Sequence, residues 1–266
     1  MDAARLPEEW LAPARAWAGP DRLALIVSGS HARGEAVWAR VAGRALSLSD
    51  LDLYAVVRER GAQREALARQ AAARRGLAGR LRELGLAAPL EVSFLTPGDL
   101  GSLPARPGTI ELRRHGQVVD GDPSWLARVP EVSPRDVGDE EMLLLLENRA
   151  FELLEARAAL DAPDPIARLA ARHATLKTAL DLAGVTCLAA GEYPDGAAAR
   201  VALARPRWRH PDAMPPWDAA LAWRGRVEPL DPVRALGEWL TTAAAWVAVW
   251  RERIAALPAA GGDPVP

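Results

Sequence analysis

The sequence predicts an α+β chain, α/β-like in its first part. A mixed sheet with flanking helices is followed by an all-α helical bundle. Three observations predict it. Apolar runs at 23–28, 51–57 and 89–95, bounded by small, acidic or Pro residues, read as buried strands. From residue 139 onward no strand pattern occurs, and apolar residues recur at helical spacing. Between the two regimes, VPEVSPRDVG at 129–138 holds two Pro and a Gly without periodicity. These set two expected domains, 1–128 and 139–258.

Taken in order, residues 7–18 read as a short helix opened by Pro7, with Glu8 and Glu9 in its first turn. Trp10, Leu11, Ala14 and Trp17 share the face that should pack on the sheet. After the strands at 23–28 and 51–57, the Ala-, Arg- and Leu-rich stretch 61–85 reads as a surface helix. Leu67, Ala71, Leu77, Leu81 and Leu84 are its apolar positions, Gly76 and Gly79 its interruptions and Gly85 its stop. PLEVSFL at 89–95 is the third strand. Residues 109–125 give a short helix, a turn at Gly116 and a last strand at Gln117–Val119, ended by Gly121-Asp122-Pro123.

Among the later elements, 139–160 predicts an amphipathic helix with Met142, Leu143, Leu146, Phe151, Leu153, Leu154 and Leu160 as its apolar set. Helices follow at 164–190, with Pro165 at its first position, at 195–204, at 217–224 and at 232–257. The Pro- and Arg-rich stretch 205–216 is a connection. Gly261 to Pro266 are expected to be disordered.

Composition narrows the function. Half of the 266 residues are apolar, enough for a sizeable core, and the formal charge of −2 disfavours a dedicated nucleic-acid binder. The single cysteine, Cys187, cannot form an internal disulfide. No window approaches 18 apolar residues and MDAARLPEEW is not a signal peptide, so a soluble cytoplasmic protein without membrane contact is expected.

The chain is organised around residues 23–57. Gly29-Ser30 follow the first strand at once, a place where backbone N–H groups can approach a phosphate. Asp50 and Asp52 open the second strand and share one face of it. Two carboxylates so close repel unless a cation lies between them, and Mg²⁺ takes such oxygens together with substrate phosphates. Glu91 stands between Leu90 and Val92 on the third strand. It reads either as a solvent-facing or Arg-paired residue or as a third functional carboxylate.

Gly29, Ser30, Ala32, Arg33, Gly34, Ser49, Asp50 and Asp52 together resemble the polymerase-β-like nucleotidyltransferase superfamily, in its small bacterial and antibiotic nucleotidyltransferase branch. The resemblance covers roughly the first 120 residues well. The insertion VWARVAGRALSL departs from the family's spacing and is expected to form a long loop or hairpin. The resemblance implies that Asp50, Asp52 and Glu91 bind Mg²⁺ and catalyse transfer of a nucleoside monophosphate, with ATP the expected donor. It also implies that Gly29 and Ser30 hold the triphosphate, while Arg33 either contacts phosphate or braces the loop. The acceptor is a hydroxyl, on a small molecule in preference to a partner protein.

In the second region, His173, Lys177 and Asp181 lie at i, i+4 and i+8, so they share one helix face. They read either as a solvated face with a Lys177–Asp181 pair or as a stripe turned to a cleft, where Lys177 would reach nucleotide phosphate. Lys177 is the only lysine in the chain. Arg168 and His173 loosely resemble a HEPN ribonuclease motif, although Leu169 replaces its usual polar residue. A catalytically silent nucleotide- or partner-binding module of the same fold is the other alternative. Trp239, Trp246 and Trp250 read as helix packing. Trp38, in the insertion, is the better candidate for stacking on a ligand.

Overall fold

The computed structural model describes residues 6–73 and 75–257; MDAAR at the start and Gly261 to Pro266 at the end lie outside them. The first half runs α1 (Glu8–Ala18), β1 (Arg22–Val27), α2 (Gly29–Ala32), β2 (Trp38–Val41), β3 (Arg44–Ser47) and β4 (Leu51–Val57). It continues with α3 (Arg60–Ala73), α4 (Leu77–Glu83), β5 (Leu90–Leu95), α5 (Pro97–Gly101), α6 (Pro107–His115) and β6 (Gln117–Gly121). Four strands form one mixed sheet in the order β5-β4-β1-β6, with β4 and β5 parallel and the other pairs antiparallel.

Alternation along β4 explains the layers. Leu51, Leu53, Ala55 and Val57 face α1, α3 and α4, where they join Trp10, Leu11, Trp17, Ala66 and Leu81 in one core. Val56 packs on the opposite face with Ile26, Leu100, Leu112 and Val129. The stretch 61–85 is two helices, parted at Gly76, one of its two expected interruptions. Leu67 and Leu84, expected on its apolar face, are largely exposed. The last strand extends through Gly121 instead of stopping before it.

The insertion forms the expected hairpin, β2 paired to β3. Its turn residues, Ala42 and Gly43, both have positive φ (49° and 80°), as a tight two-residue hairpin turn requires. Val37, Ala39 and Leu48 from this region enter a core with Leu176, Ala183, Val201, Trp217 and Trp223. The hairpin therefore fastens the sheet to the helices that follow. Trp38 stacks on Trp10 (5.7 Å between centroids) against the first core, so its ring is used in packing and does not line the cleft.

The later helices are α7 (Asp139–Leu160), α8 (Pro165–Ala189), α9 (Ala197–Ala204), α10 (Trp217–Gly225) and α11 (Pro232–Ala256). Asp164 and Asp231 cap α8 and α11 by accepting from Ile166 N and Val233 N, each followed by Pro at the first helical position. The buried stripe of α7 is Met142, Leu146, Leu153, Ala156 and Leu160. Phe151 and Leu154 fall off that stripe and are 62% and 65% exposed, contrary to the sequence expectation. Trp239 and Trp246 donate indole N–H to Leu153 O and Leu146 O, which confirms their packing role. No helix of the described residues is long and apolar enough to cross a membrane.

α8 and α11 are joined by a buried ion pair. Arg172 donates from Nε and a terminal nitrogen to Glu238, at 2.7 and 2.8 Å, and its guanidinium lies 4.4 Å from the Trp223 ring centroid. Removing one partner of such a pair leaves a buried charge uncompensated. Glu238→Ala should lower unfolding stability by about 3–5 kcal/mol, and Arg172→Met/Glu238→Leu should recover most of it; urea titration measures both.

Candidate active site

The site begins where β1 ends. Gly29 has φ of +64°, and a Cβ there would overlap Asp52 Oδ2. Glycine at this position lets the Asp52 carboxylate lie directly on the turn between β1 and α2. Ser28 N donates to Asp52 O (2.9 Å), which ties the turn to β4. Glu91 is the register partner of Asp52 across the parallel β4–β5 pair, so the two acids lie on neighbouring strands at one level. Asp50, Asp52 and Glu91 all line one cleft of about 460 Å³.

The loop carrying Asp50 is held from beneath. Ser49 Oγ accepts from Val37 N (2.9 Å), and His31, buried, has Nε2 3.3 Å from Ser49 O and 3.1 Å from Ser47 Oγ. His31 lies inside the GSHARG segment yet carried no sequence signal of its own; its place is set by the hairpin it supports.

The other wall belongs to α7 and α8. Lys177 Nζ sits 2.5 Å from Asp50 Oδ2 and 3.6 Å from Glu152 Oε1. His173 Nε2 lies 3.4 Å from Ser49 Oγ. The stripe therefore faces the cleft. Asp181 is not paired with Lys177; it lies 2.8 Å from Arg149 Nε, a charge contact without hydrogen-bond alignment, and Arg149 also binds Glu152. His173 is buried, and burial followed by the Lys177 charge pushes its pKa down to about 3. It is neutral at physiological pH.

Arg33 is held by two carboxylates. It donates to Glu35 (2.9 Å) and to Glu111, so both its carboxylate partners are internal. Around them lies a network the sequence did not reveal. Arg200 donates to Glu111 (2.7 Å) and Tyr193 Oη (2.5 Å), Tyr193 donates to Glu111 (2.9 Å), and Arg224 donates to Glu35 (3.2 Å). Ala197 N, opening α9, also donates to Glu35 (3.1 Å). A signal did exist. Arg149 falls between Leu146 and Leu153 on the buried stripe of α7, and Arg200 beside Ala197, Val201 and Ala204 on that of α9. A charge on a buried stripe needs a partner.

Charge crowding sets the electrostatics. Burial opposes ionisation of Asp50, but the adjacent Lys177 outweighs it and holds its pKa below the usual carboxylate range. Asp52 has no such partner; burial and then the Asp50 charge push its pKa up to about 6. Among the described residues no group of three or more His, Cys, Asp or Glu is arranged as a ready-made metal cage. The donor set still fits Mg²⁺, which is commonly bound by one or two carboxylates together with substrate phosphates.

No family model matches the chain, and no curated protein matches it. Among solved structures it is similar to spectinomycin adenyltransferase AAD(9) from Enterococcus faecialis, crystallised with ATP and spectinomycin. The two share 10% identity over 90% of this chain and 99% of that one, with a TM-score of 0.47.

A carboxyl whose folded-state pKa lies above its unfolded value binds a proton on folding. Its stabilisation is complete below the unfolded pKa and is lost as pH rises through the folded one, here about 6. In metal-free buffer, Asp52→Asn should gain about 1–2 kcal/mol over wild type at pH 7.5, and this advantage should vanish near pH 4. Thermal melts at the two pH values measure the difference.

Proposed function

We propose that the protein is a Mg²⁺-dependent nucleotidyltransferase that moves a nucleoside monophosphate, AMP from ATP, to a hydroxyl of a small molecule. The observation that carries this reading is the meeting of Asp50, Asp52 and Glu91, from adjoining strands, with Lys177 and Arg149, from helices, on one cleft.

Asp50 and Asp52 would hold Mg²⁺, with Glu91 the third carboxylate beside them. Bound there, the ion supplies Lewis-acid neutralisation of phosphate charge and acidification of the acceptor hydroxyl. The chain's own contribution is positioning. The turn at Gly29 and Ser30 offers backbone N–H groups and a hydroxyl to the triphosphate. Lys177, and Arg149 beside it, present positive charge from the opposite wall. Arg33, held by its two carboxylate partners, would brace the turn.

A second chamber, about 400 Å³, is also lined by the Asp50–Lys177 pair. It shares Asp50, Glu91, Glu152, His173 and Lys177 with the main cleft, and its remaining wall is mostly alanine with Glu155. We assign it to the acceptor. An acceptor hydroxyl beside Asp50 and Glu91 attacks the α-phosphorus, its proton passes to a carboxylate or water, and pyrophosphate leaves. Glu91, Glu152 and Glu155 favour an acceptor bearing positive charge.

Calorimetric titration with a non-hydrolysable ATP analogue tests the assignment. Wild type should bind only with Mg²⁺, and Asp50→Asn/Asp52→Asn should abolish binding. Lys177→Ala should weaken it about tenfold, the effect of one charge-assisted hydrogen bond. Wild type silent towards every nucleoside triphosphate overturns the proposal.

A further inference from the structure

The outward face of α11 is unlike that of the other helices. Its inward face packs Ala235, Glu238, Thr242, Ala245 and Val249 into the bundle. Outward, Val233, Leu236, Leu240, Ala243, Val247, Trp250 and Ile254 follow one another at alternating steps of three and four residues. That is the a/d spacing of a coiled-coil seam. Most of it is open, with Val233 82% exposed, Leu240 56% and Ile254 47%, while Ala243 is half-buried and Trp250, at its edge, is half-buried and stacks on Trp246. Between Arg234 and Arg251 the only charged side chain is Glu238, which is buried against Arg172. A solvated face normally carries charge along such a length.

We propose that this face is a homodimer seam, on which α11 pairs antiparallel with α11 of a second copy about a two-fold axis. Self-pairing is what a single uninterrupted a/d seam allows, because a two-fold interface needs one patch complementary to itself. Charge selects direction and register. Glu228 and Asp231 lie at the N-terminal end, while Arg251, exposed at the other end, has no carboxylate within 4 Å among the described residues. A parallel pair would bring the two Arg251 side chains together. The antiparallel pair brings Arg251 to the Asp231 end of the second copy and also opposes the helix dipoles favourably.

In that register Leu240 lies opposite Ala243 of the second copy, Leu236 opposite its Val247, and Val233 opposite its Trp250. Each layer sets an a against a d position, and the small Gly237, Ala243 and Ala244 allow close approach. The seam, Val233 to Ile254, is about 32 Å long at 1.5 Å per residue and about 10 Å wide. Two such faces make a small interface, below the usual size of specific ones, so a dimer that dissociates on dilution is expected.

Sedimentation velocity from about 1 to 100 µM tests this, across concentrations where an interface of this size should dissociate. Wild type should move from monomer to dimer across the range. Leu240→Glu should remain monomeric throughout, with its circular dichroism and melting temperature unchanged because the side chain is exposed. Leu240→Cys/Ala243→Cys should form a covalent dimer on oxidation, while Leu240→Cys alone should not; the native Cys187 is buried and does not compete. A wild type that is monomeric throughout overturns the proposal, as does a dimer that survives Leu240→Glu. Efficient crosslinking of Leu240→Cys alone indicates a parallel pair and overturns the register.

Discussion

The contact between Lys177 and Asp50 spans the two halves of the molecule. Asp50 belongs to the loop entering the sheet, Lys177 to the middle of α8, and their charged atoms are 2.5 Å apart. Without Lys177, Asp50 and Asp52 would face each other with only the Arg149 charge, itself engaged by Asp181 and Glu152, to offset their repulsion and burial. Neither the sheet nor the helices alone contains the site, because the acids come from one and the compensating bases from the other. The hairpin β2–β3 gives this dependence a mechanical form. Its apolar residues sit in the same core as α8, α9 and α10, so the Asp50 loop and the Lys177 helix are held by one packed cluster.

A second polar layer fixes the same junction. Glu111 and Glu35, from the sheet half, meet Arg200, Tyr193, Arg224 and the first N–H of α9. Burial penalises ionisation of Glu111, and the Arg33 and Arg200 charges reverse that, holding its pKa below the usual value. Such a network contributes little net stability compared with an apolar core of the same volume. It does specify geometry, because a displaced junction would leave several buried charges unpaired at once.

What the sequence made legible follows from periodicity. The strands around Asp50 and Asp52 show as short apolar runs. The acid pair shows because two carboxylates on one strand face are conspicuous among Leu and Val. Lys177 shows because it is the only lysine, and its stripe with His173 does face the cleft. The arginines stayed hidden for the opposite reason. Arg is so frequent that Arg149 and Arg200 look like solvated charges until the buried stripes of α7 and α9 are drawn through them. Phe151 and Trp38 mislead in mirrored ways. Phe151 is apolar yet lies at the cleft, and Trp38 sits in an insertion beside the site yet serves the core. Helical spacing tells which residues share a face, but the neighbour that face meets is a tertiary fact.

Charge in the cleft connects the geometry to the proposed reaction. Its acidic lining is Asp50, Asp52, Glu91, Glu111, Glu152 and Asp181, and its basic lining is Arg33, Arg149, Lys177, Arg200 and Arg224. Each of these bases is already engaged by one of these acids or by Glu35. The cleft is thus close to neutral as it stands. A triphosphate entering it adds several negative charges that the arginines cannot neutralise without abandoning their structural partners. Lys177 is the base best placed to change allegiance, since a flexible ammonium can turn from Asp50 to a phosphate oxygen without disturbing a bidentate fork. That exchange frees an Asp50 oxygen while Asp52, already crowded, gains from any cation placed beside it. Nucleotide and divalent cation would therefore bind together, each removing the electrostatic obstacle to the other.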